Sequence, residues 1–460
     1  MYRLKTLLGA LALALLAPAA VLAQPDFTRY VAIGDSLTAG FQSGSLVVTG
    51  QRNSYPFLIY RQATGQSTGF EQPLVSEPGI PGQLELRSLV PLVIAPRPGQ
   101  GSPTNLTLPR PYNNLGVPGA RLRDTLVTFT GGLHDLVLRP SGFGNTTALQ
   151  QAIFLNPTFV TIWIGNNDAL AAATSGRVIE GVTLTPAAQF DTDFRALVAA
   201  VATQTSARMA IATIPDVTVI PFVNTVPTFI TNPATGERLA LLGPDGRLTP
   251  DDRVLLPASS VIGQGGVGIT VPLPDNLVLS ASELSTISSR IQAYNNTIRA
   301  VANERNAALV DTNAFLTQAA QGHVGVGGIV FTPAFLTGGV FSLDGVHPTP
   351  AGYAFVANQF IEAINARFGG RIPLVNLFPF VFSGTGPTAA ATSTATAADA
   401  LSEPAPDFIF TEEARQSLLQ ALRIDPDPKS PSDENGGTGP KGGKGGKGHK
   451  GGKGGKKGKG

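Results

Sequence analysis

The sequence predicts a three-layer α/β/α sandwich built on a mainly parallel sheet. Four short apolar runs, at 30–33, 159–164, 209–214 and 307–310, are nearly continuous rather than alternating. That is the pattern of strands covered on both faces. Segments with helical spacing lie between them, and strands that alternate with helices pair in parallel. Ligands of such sheets bind beyond the carboxyl ends of the strands, so chemistry is sought directly after each run.

Ahead of the first run, residues 1–23 have the anatomy of a secretory signal. Arg3 and Lys5 supply a positive start, residues 7–16 a short apolar core, and Val21-Leu22-Ala23 a small-residue cleavage pattern, which predicts cutting after Ala23. The core is short for a membrane span of ~20 residues. The chain has no cysteine. This excludes disulfides, thiolate catalysis and cysteine-ligated zinc, so an exported fold must rely on its packed core.

The first strand stops at Gly34-Asp35-Ser36-Leu37. A serine there either caps the next helix or stands as a nucleophile at a strand end. Residues 41–110 then break the alternation. They are rich in Gly, Pro, Thr and Asn, as are residues 216–279, where Pro244-Asp245-Gly246-Arg247 reads as a turn. Both are expected to be insertions with short strands, placed to wall a cleft. Between them come Asn114-Leu115-Gly116-Val117-Pro118-Gly119-Ala120 and, at the end of the second strand, Gly165-Asn166-Asn167-Asp168. Trp163 is expected in the core.

A helix is predicted over 187–203, with Phe190, Phe194, Leu197, Val198 and Val201 on one face. Another spans 281–306 and opens with the capping box Ser280-Ala281-Ser282-Glu283. A strand follows it directly, so it reads as core-facing rather than as a coiled coil. Residues 325–341 form an apolar, glycine-rich loop that either tucks into the core or walls a site as a lid. Asp344-Gly345-Val346-His347-Pro348 precedes the last helix. Residues 374–382 are strongly apolar and either fold back onto the body or contact a surface. Beyond 383, residues 384–410 read as a linker, 411–424 as a short helix and 425–460 as a disordered Lys/Gly tail.

The formal charge of +2 conceals two parts. The last twenty residues hold eight lysines and no acid; without them 25 basic residues face 31 acidic ones, a net of −6. A mildly acidic body argues against nucleic-acid binding. The tail suits peripheral contact with acidic envelope polymers or headgroups. The sequence leaves the oligomeric state open.

The four blocks ending the strands or preceding the last helix, in this order, resemble the SGNH hydrolases, also called GDSL esterases and lipases. The resemblance spans residues 34–348. It implies a flavodoxin-like sheet with loop and β insertions over 24–383, and hydrolysis of acyl esters with no metal or cofactor. A serine hydroxyl needs a base, and His347 is the natural candidate, imidazole being the side chain suited to exchanging protons at ordinary pH. Its ring needs an acceptor on the other nitrogen, which Asp344, three residues upstream, can supply. The family gives Ser36, His347 and Asp344 these same roles. Of the other histidines, His134 and His323 read as loop residues and His449 lies in the tail. The resemblance also implies an oxyanion hole from the N–H of Ser36, a glycine N–H and an asparagine amide. Such donors lower the barrier by ~3–4 kcal/mol each in one protease. Gly119, five residues after Asn114, is chosen over Gly116. Asn167 is chosen over Asn166 because the family pattern is Gly-x-Asn-Asp. Asp35 and Asp168 are expected to brace the loops, and a helix starting at Ser36 to add positive potential.

The expected substrate is a small-molecule or lipid ester. A carbohydrate O-acetylesterase is the enzymatic alternative. A non-catalytic envelope-binding protein on the same fold would be favoured by a missing block, and none is missing. The stretch between the third and fourth blocks is long for a compact member of the family, which bears on substrate more than on mechanism. The location is expected to be periplasmic, envelope-associated or secreted.

Overall fold

A computed structural model describes residues 24–382, except 90–91 and 233–234. The signal, linker, short helix and tail expected at 1–23, 384–410, 411–424 and 425–460 lie outside the described residues. The centre is a five-stranded parallel sheet of β1 (Tyr30–Gly34), β2 (Asn114–Gly116), β3 (Phe159–Trp163), β4 (Arg208–Ala212) and β5 (Ala308–Val310), in the order β2-β1-β3-β4-β5. This is the flavodoxin-like order, with its switch point between β1 and β3.

Why the runs are continuous is visible in the pleat. Successive side chains point to opposite faces. Val31 and Ile33 of β1, Val160 and Ile162 of β3, and Ile211 of β4 join one core. Tyr30, Ala32, Phe159, Trp163, Ala210 and Ala212 join the other. The first core is covered by α5 (Ala187–Gln204) and α6 (Ala281–Glu304). The second is covered by α2 (Tyr55–Thr64) and α8 (Pro350–Phe368). The capping box of α6 forms as expected: Glu283 N–H reaches Ser280 Oγ at 3.3 Å and Ser280 N–H reaches Glu283 Oε2 at 3.0 Å.

Three features depart from the sequence reading. β2 is a strand of only three residues, too short to show as an apolar run. Residues 41–110 are not wholly an insertion, because α2 is part of the second helical layer and buries six of its ten residues. His134 lies in the first turn of a short helix, α3 (Leu133–Leu138), rather than in a loop. The remainder of 41–110 carries the antiparallel pair Leu84–Leu89 and Leu92–Pro96. Residues 216–279 carry further short pairs around their own small core of Leu241, Val254, Ala258, Leu273 and Val278.

The loop at 325–341 divides. Ile329 and Val330 are exposed, whereas Val340 and Phe341 are buried. The segment at 374–382 folds back: Val375 is buried and its backbone exchanges two hydrogen bonds with Asn358, at 2.7 and 3.1 Å. Among the described residues no helix is long and apolar enough to cross a membrane.

Gly34 ends β1 where there is no room for a side chain. A Cβ would come within 2.0 Å of Thr38 Oγ1 and 2.4 Å of the Trp163 carbonyl oxygen. Gly34→Ala is expected to cost about 1–3 kcal/mol or more through overpacking, read as a lower urea midpoint with unchanged slope.

Candidate active site

From Gly34 the chain turns through Asp35 into α1 (Ser36–Ala39), a single turn closed by Gly40 in the left-handed region. Asp35 is the N-cap; its Oδ1 accepts from Leu37 N–H at 3.0 Å, and its carbonyl accepts from Ala39 N–H at 3.0 Å. The helix starts at Ser36, and with only four residues the positive potential there comes from its own first N–H groups. Ser36 heads it, 6% exposed.

The loop before α8 brings the second half of the site. Ser342 N–H bonds the His347 carbonyl at 2.8 Å, which closes the loop on itself. His347 Nε2 lies 2.8 Å from Ser36 Oγ, and Nδ1 lies 2.9 Å from Asp344 Oδ2. The carboxylate of Asp344 also accepts from the N–H groups of Val346 at 2.9 Å, His347 at 2.8 Å and Gly44 at 2.7 Å. Burial raises its carboxyl, yet the neighbouring imidazole and these donors outweigh burial and hold it below the usual carboxylate range. An ionised Asp344 accepts the hydrogen bond of Nδ1–H, which leaves Nε2 facing the serine as an acceptor. The Phe41 ring lies 4.8 Å from the imidazole ring.

Gly119 is exposed, adopts φ 85° and would have open space around a Cβ. Among the described residues its N–H and that of Ser36 have no hydrogen-bond acceptor. Gly116 differs: its N–H bonds Asn114 Oδ1 at 3.0 Å, and a Cβ there would lie 2.6 Å from Ala39 N. Asn167 opens α4 (Asn167–Ser175), and its Nδ2 donates to the Ala120 carbonyl at 2.9 Å, next to Gly119. That uses one of its two N–H bonds. Asn166, the variable position of its block, instead donates to Asp35 Oδ2 at 2.8 Å. Asp168 ties the third block to the second and to residue 185. It accepts from Leu122 N–H at 2.8 Å and from Thr185 Oγ1 at 2.7 Å. Burial pushes Asp35 and Asp168 each up to about 6, against the donors that hold them down.

Sequence reasoning missed the loop after α1. Ser43, at φ 48°, donates its N–H to Ser342 Oγ at 2.8 Å and accepts from Leu343 N–H at 3.3 Å. Its Ser-Gly pair signals a tight turn, but no local signal names a partner three hundred positions away. The insertion at 216–279 also reaches the site, through Phe222 N–H to the Gly345 carbonyl at 2.9 Å.

These contacts can be set beside known proteins. The family described as GDSL-like lipase/acylhydrolase matches residues 30–360. The chain belongs to that family. This GDSL-like protein is accordingly an ester hydrolase of the esterase and lipase type. It is similar in structure to an α/β hydrolase from the metagenome of Lake Arreo, Spain, at 15% identity over 76% of this chain and 99% of that one, with a TM-score of 0.36. A GDSL-like lipase from Parabacteroides merdae is 13% identical over 74% and 99%, with a TM-score of 0.33. An acetylxylan esterase from Geobacillus stearothermophilus is 14% identical over 75% and 96%, also at 0.33. No curated protein matches the chain.

The buried Asp168 of this GDSL-like hydrolase gives a pH test. Its pKa is raised on folding, so its stabilising contribution is full below about pH 4 and is lost as pH rises through about 6. The unfolding free energy of the wild type relative to Asp168→Asn is expected to fall by up to about 3 kcal/mol between pH 4 and 7, measured by urea unfolding. A flat difference would contradict the assignment.

Proposed function

We propose that this GDSL-like hydrolase cleaves acyl esters by forming an acyl-enzyme at Ser36. The observation that carries this is the continuous hydrogen-bond chain Ser36–His347–Asp344, at 2.8 and 2.9 Å. His347 Nε2 takes the Ser36 proton as Oγ attacks the ester carbon. The carbonyl oxygen becomes an alkoxide facing the N–H groups of Ser36 and Gly119 and the second N–H of Asn167, donors fixed before the reaction starts. The imidazolium then returns the proton to the departing alcohol oxygen. Water repeats the sequence on the acyl-enzyme, and the acid product leaves. Asp344 stays ionised throughout and holds the ring in its tautomer.

An apolar pocket favours a hydrocarbon acyl group over acetyl on a sugar. It begins at Ser36 and His347 and is walled by Leu37, Trp163 and Leu170, by Phe315 and Leu316 of α7 (Thr312–Ala320), and by Phe341. Such walls gain by burying methylenes, about 0.8 kcal/mol each, and offer few partners for sugar hydroxyls. Ser36→Ala is expected to lower kcat on p-nitrophenyl esters by on the order of 10⁴-fold or more and to abolish labelling by a fluorophosphonate. Medium-chain esters are expected to outrun acetyl esters and acetylated sugars in kcat/KM. Preference for acetylated sugars would reverse the substrate assignment.

We further propose export, supported by the signal pattern of residues 1–23, with peripheral attachment of the basic tail to an acidic envelope surface. The purified protein is then expected to begin at Gln24 by mass spectrometry. Removal of 436–460 is expected to release it from envelope fractions at low salt. An intact N-terminus retaining residues 1–23 would contradict cleavage, and unchanged association would contradict the tail's role.

A further inference from the structure

We propose that Asn166 is a positioning residue: its amide clamps the Asp35 carboxylate and so fixes the turn that presents Ser36. The inference rests on the catalytic reading of Ser36 given above. Asn166 stands at the end of β3 and Asp35 at the end of the adjacent β1, so the bond between them crosses the switch point of the sheet. One carboxylate oxygen takes the Asn166 amide at 2.8 Å and the other takes the Leu37 N–H of α1 at 3.0 Å. The carboxylate is therefore a strut from β3 to the nucleophile turn. Asn166 is itself 4% exposed and shares the pocket wall with Ser36 and His347.

The other end of the amide shows what sets its orientation. Asn166 Oδ1 is buried and, among the described residues, has no donor. Reversing the amide would turn that oxygen toward Asp35, which is acceptable only if Asp35 carries a proton; against a carboxylate, two acceptors would meet. The unsatisfied Oδ1 is thus the consequence of a charged Asp35. The titratable groups facing Asp35 are His347 of the acid–base loop, Asp168 of α4, Tyr55 of α2 and Tyr353 of α8. Asp168 is a like charge and the tyrosines are neutral. The Asn166 side chain and backbone N–H therefore sustain the charge in a site where burial opposes it. A protonated Asp35 would hold the Leu37 N–H less strongly, since hydrogen bonds to charged groups are the stronger ones.

The test is the pH profile of the purified full-length protein carrying Asn166→Ala, read by ester hydrolysis and by fluorophosphonate labelling. At pH 7, kcat/KM is expected to drop by about ten- to a hundredfold, carried by kcat with KM little changed. The acid limb is expected to move up by about one to two pH units. At pH 9, where Asp35 ionises without help, most of the loss is recovered. A loss equal at every pH, with the limb unmoved, would reduce Asn166 to a packing residue and overturn the proposal. Should the alanine variant not fold, Asn166→Ser is read in the same way, with a smaller shift expected. As a second arm, Asn166→Ala added to Asp35→Asn is expected to leave the limb where Asp35→Asn alone puts it; a further shift would overturn the proposal. Ser36→Ala run alongside separates the two layers. Activity surviving in that variant would refute the catalytic reading, whereas an unmoved limb in the Asn166 variants refutes only the strut.

Discussion

The carboxylate of Asp344 is the point on which the site depends. It is largely shielded from water and gathers donors from two parts of the chain. Val346, His347 and the imidazole lie within its own loop, and Gly44 lies 300 positions earlier. An uncompensated shielded charge would be costly; these donors, with the Ser342 hydroxyl at 3.4 Å, remove that cost and give the loops one shared arrangement. The ring of His347 is then aimed by a group that is itself fixed from two sides. Ser43 and Ser342 repeat the same bridge with neutral partners. The loop after the nucleophile turn thus supports the acid and presents the serine at once.

The sheet order explains how distant blocks meet. β1 lies between β2 and β3, so the turns that leave these three strands open side by side at their carboxyl ends. Ser36, Gly119 and Asn167 are brought to one rim by strand pairing, while Asp344 and His347 arrive on the loop that leads into α8. The two buried carboxyls bind these turns together. Asp35 joins the first turn to the third, and Asp168 joins the third to the second. Loops that move easily would lose this alignment, and here buried carboxyls restrain them.

How much was legible follows from the physics of each part. Strands β1, β3, β4 and β5 could be read because both of their faces are apolar, and α5 and α6 because one stripe is. β2 could not, since three residues carry no period. Helix α2 was hidden by the Pro-, Gly- and Asn-rich sequence around it, although its Tyr-Pro-Phe-Leu-Ile-Tyr core is apolar throughout. Ser36, Asp344 and His347 stood out as residue types with a chemical reason to be at a strand end or on one turn; Gly119 and Asn167 were picked only by the likeness to the family's blocks. Asn166, Ser43 and Gly44 did not stand out. Their importance lies in partners across space, and an amide bonded to a buried carboxylate looks in sequence like any polar residue near a turn.

The bond from His347 to Ser36 spans 311 positions, and this has a bearing on biosynthesis. A polypeptide emerges from the ribosome amino end first, so the serine is made long before its imidazole. Until the translated length passes residue 347 and the closing loop docks, the hydroxyl is an ordinary alcohol. On the proposed role of Ser36 as nucleophile, nascent or prematurely terminated chains are chemically silent toward the esters around them.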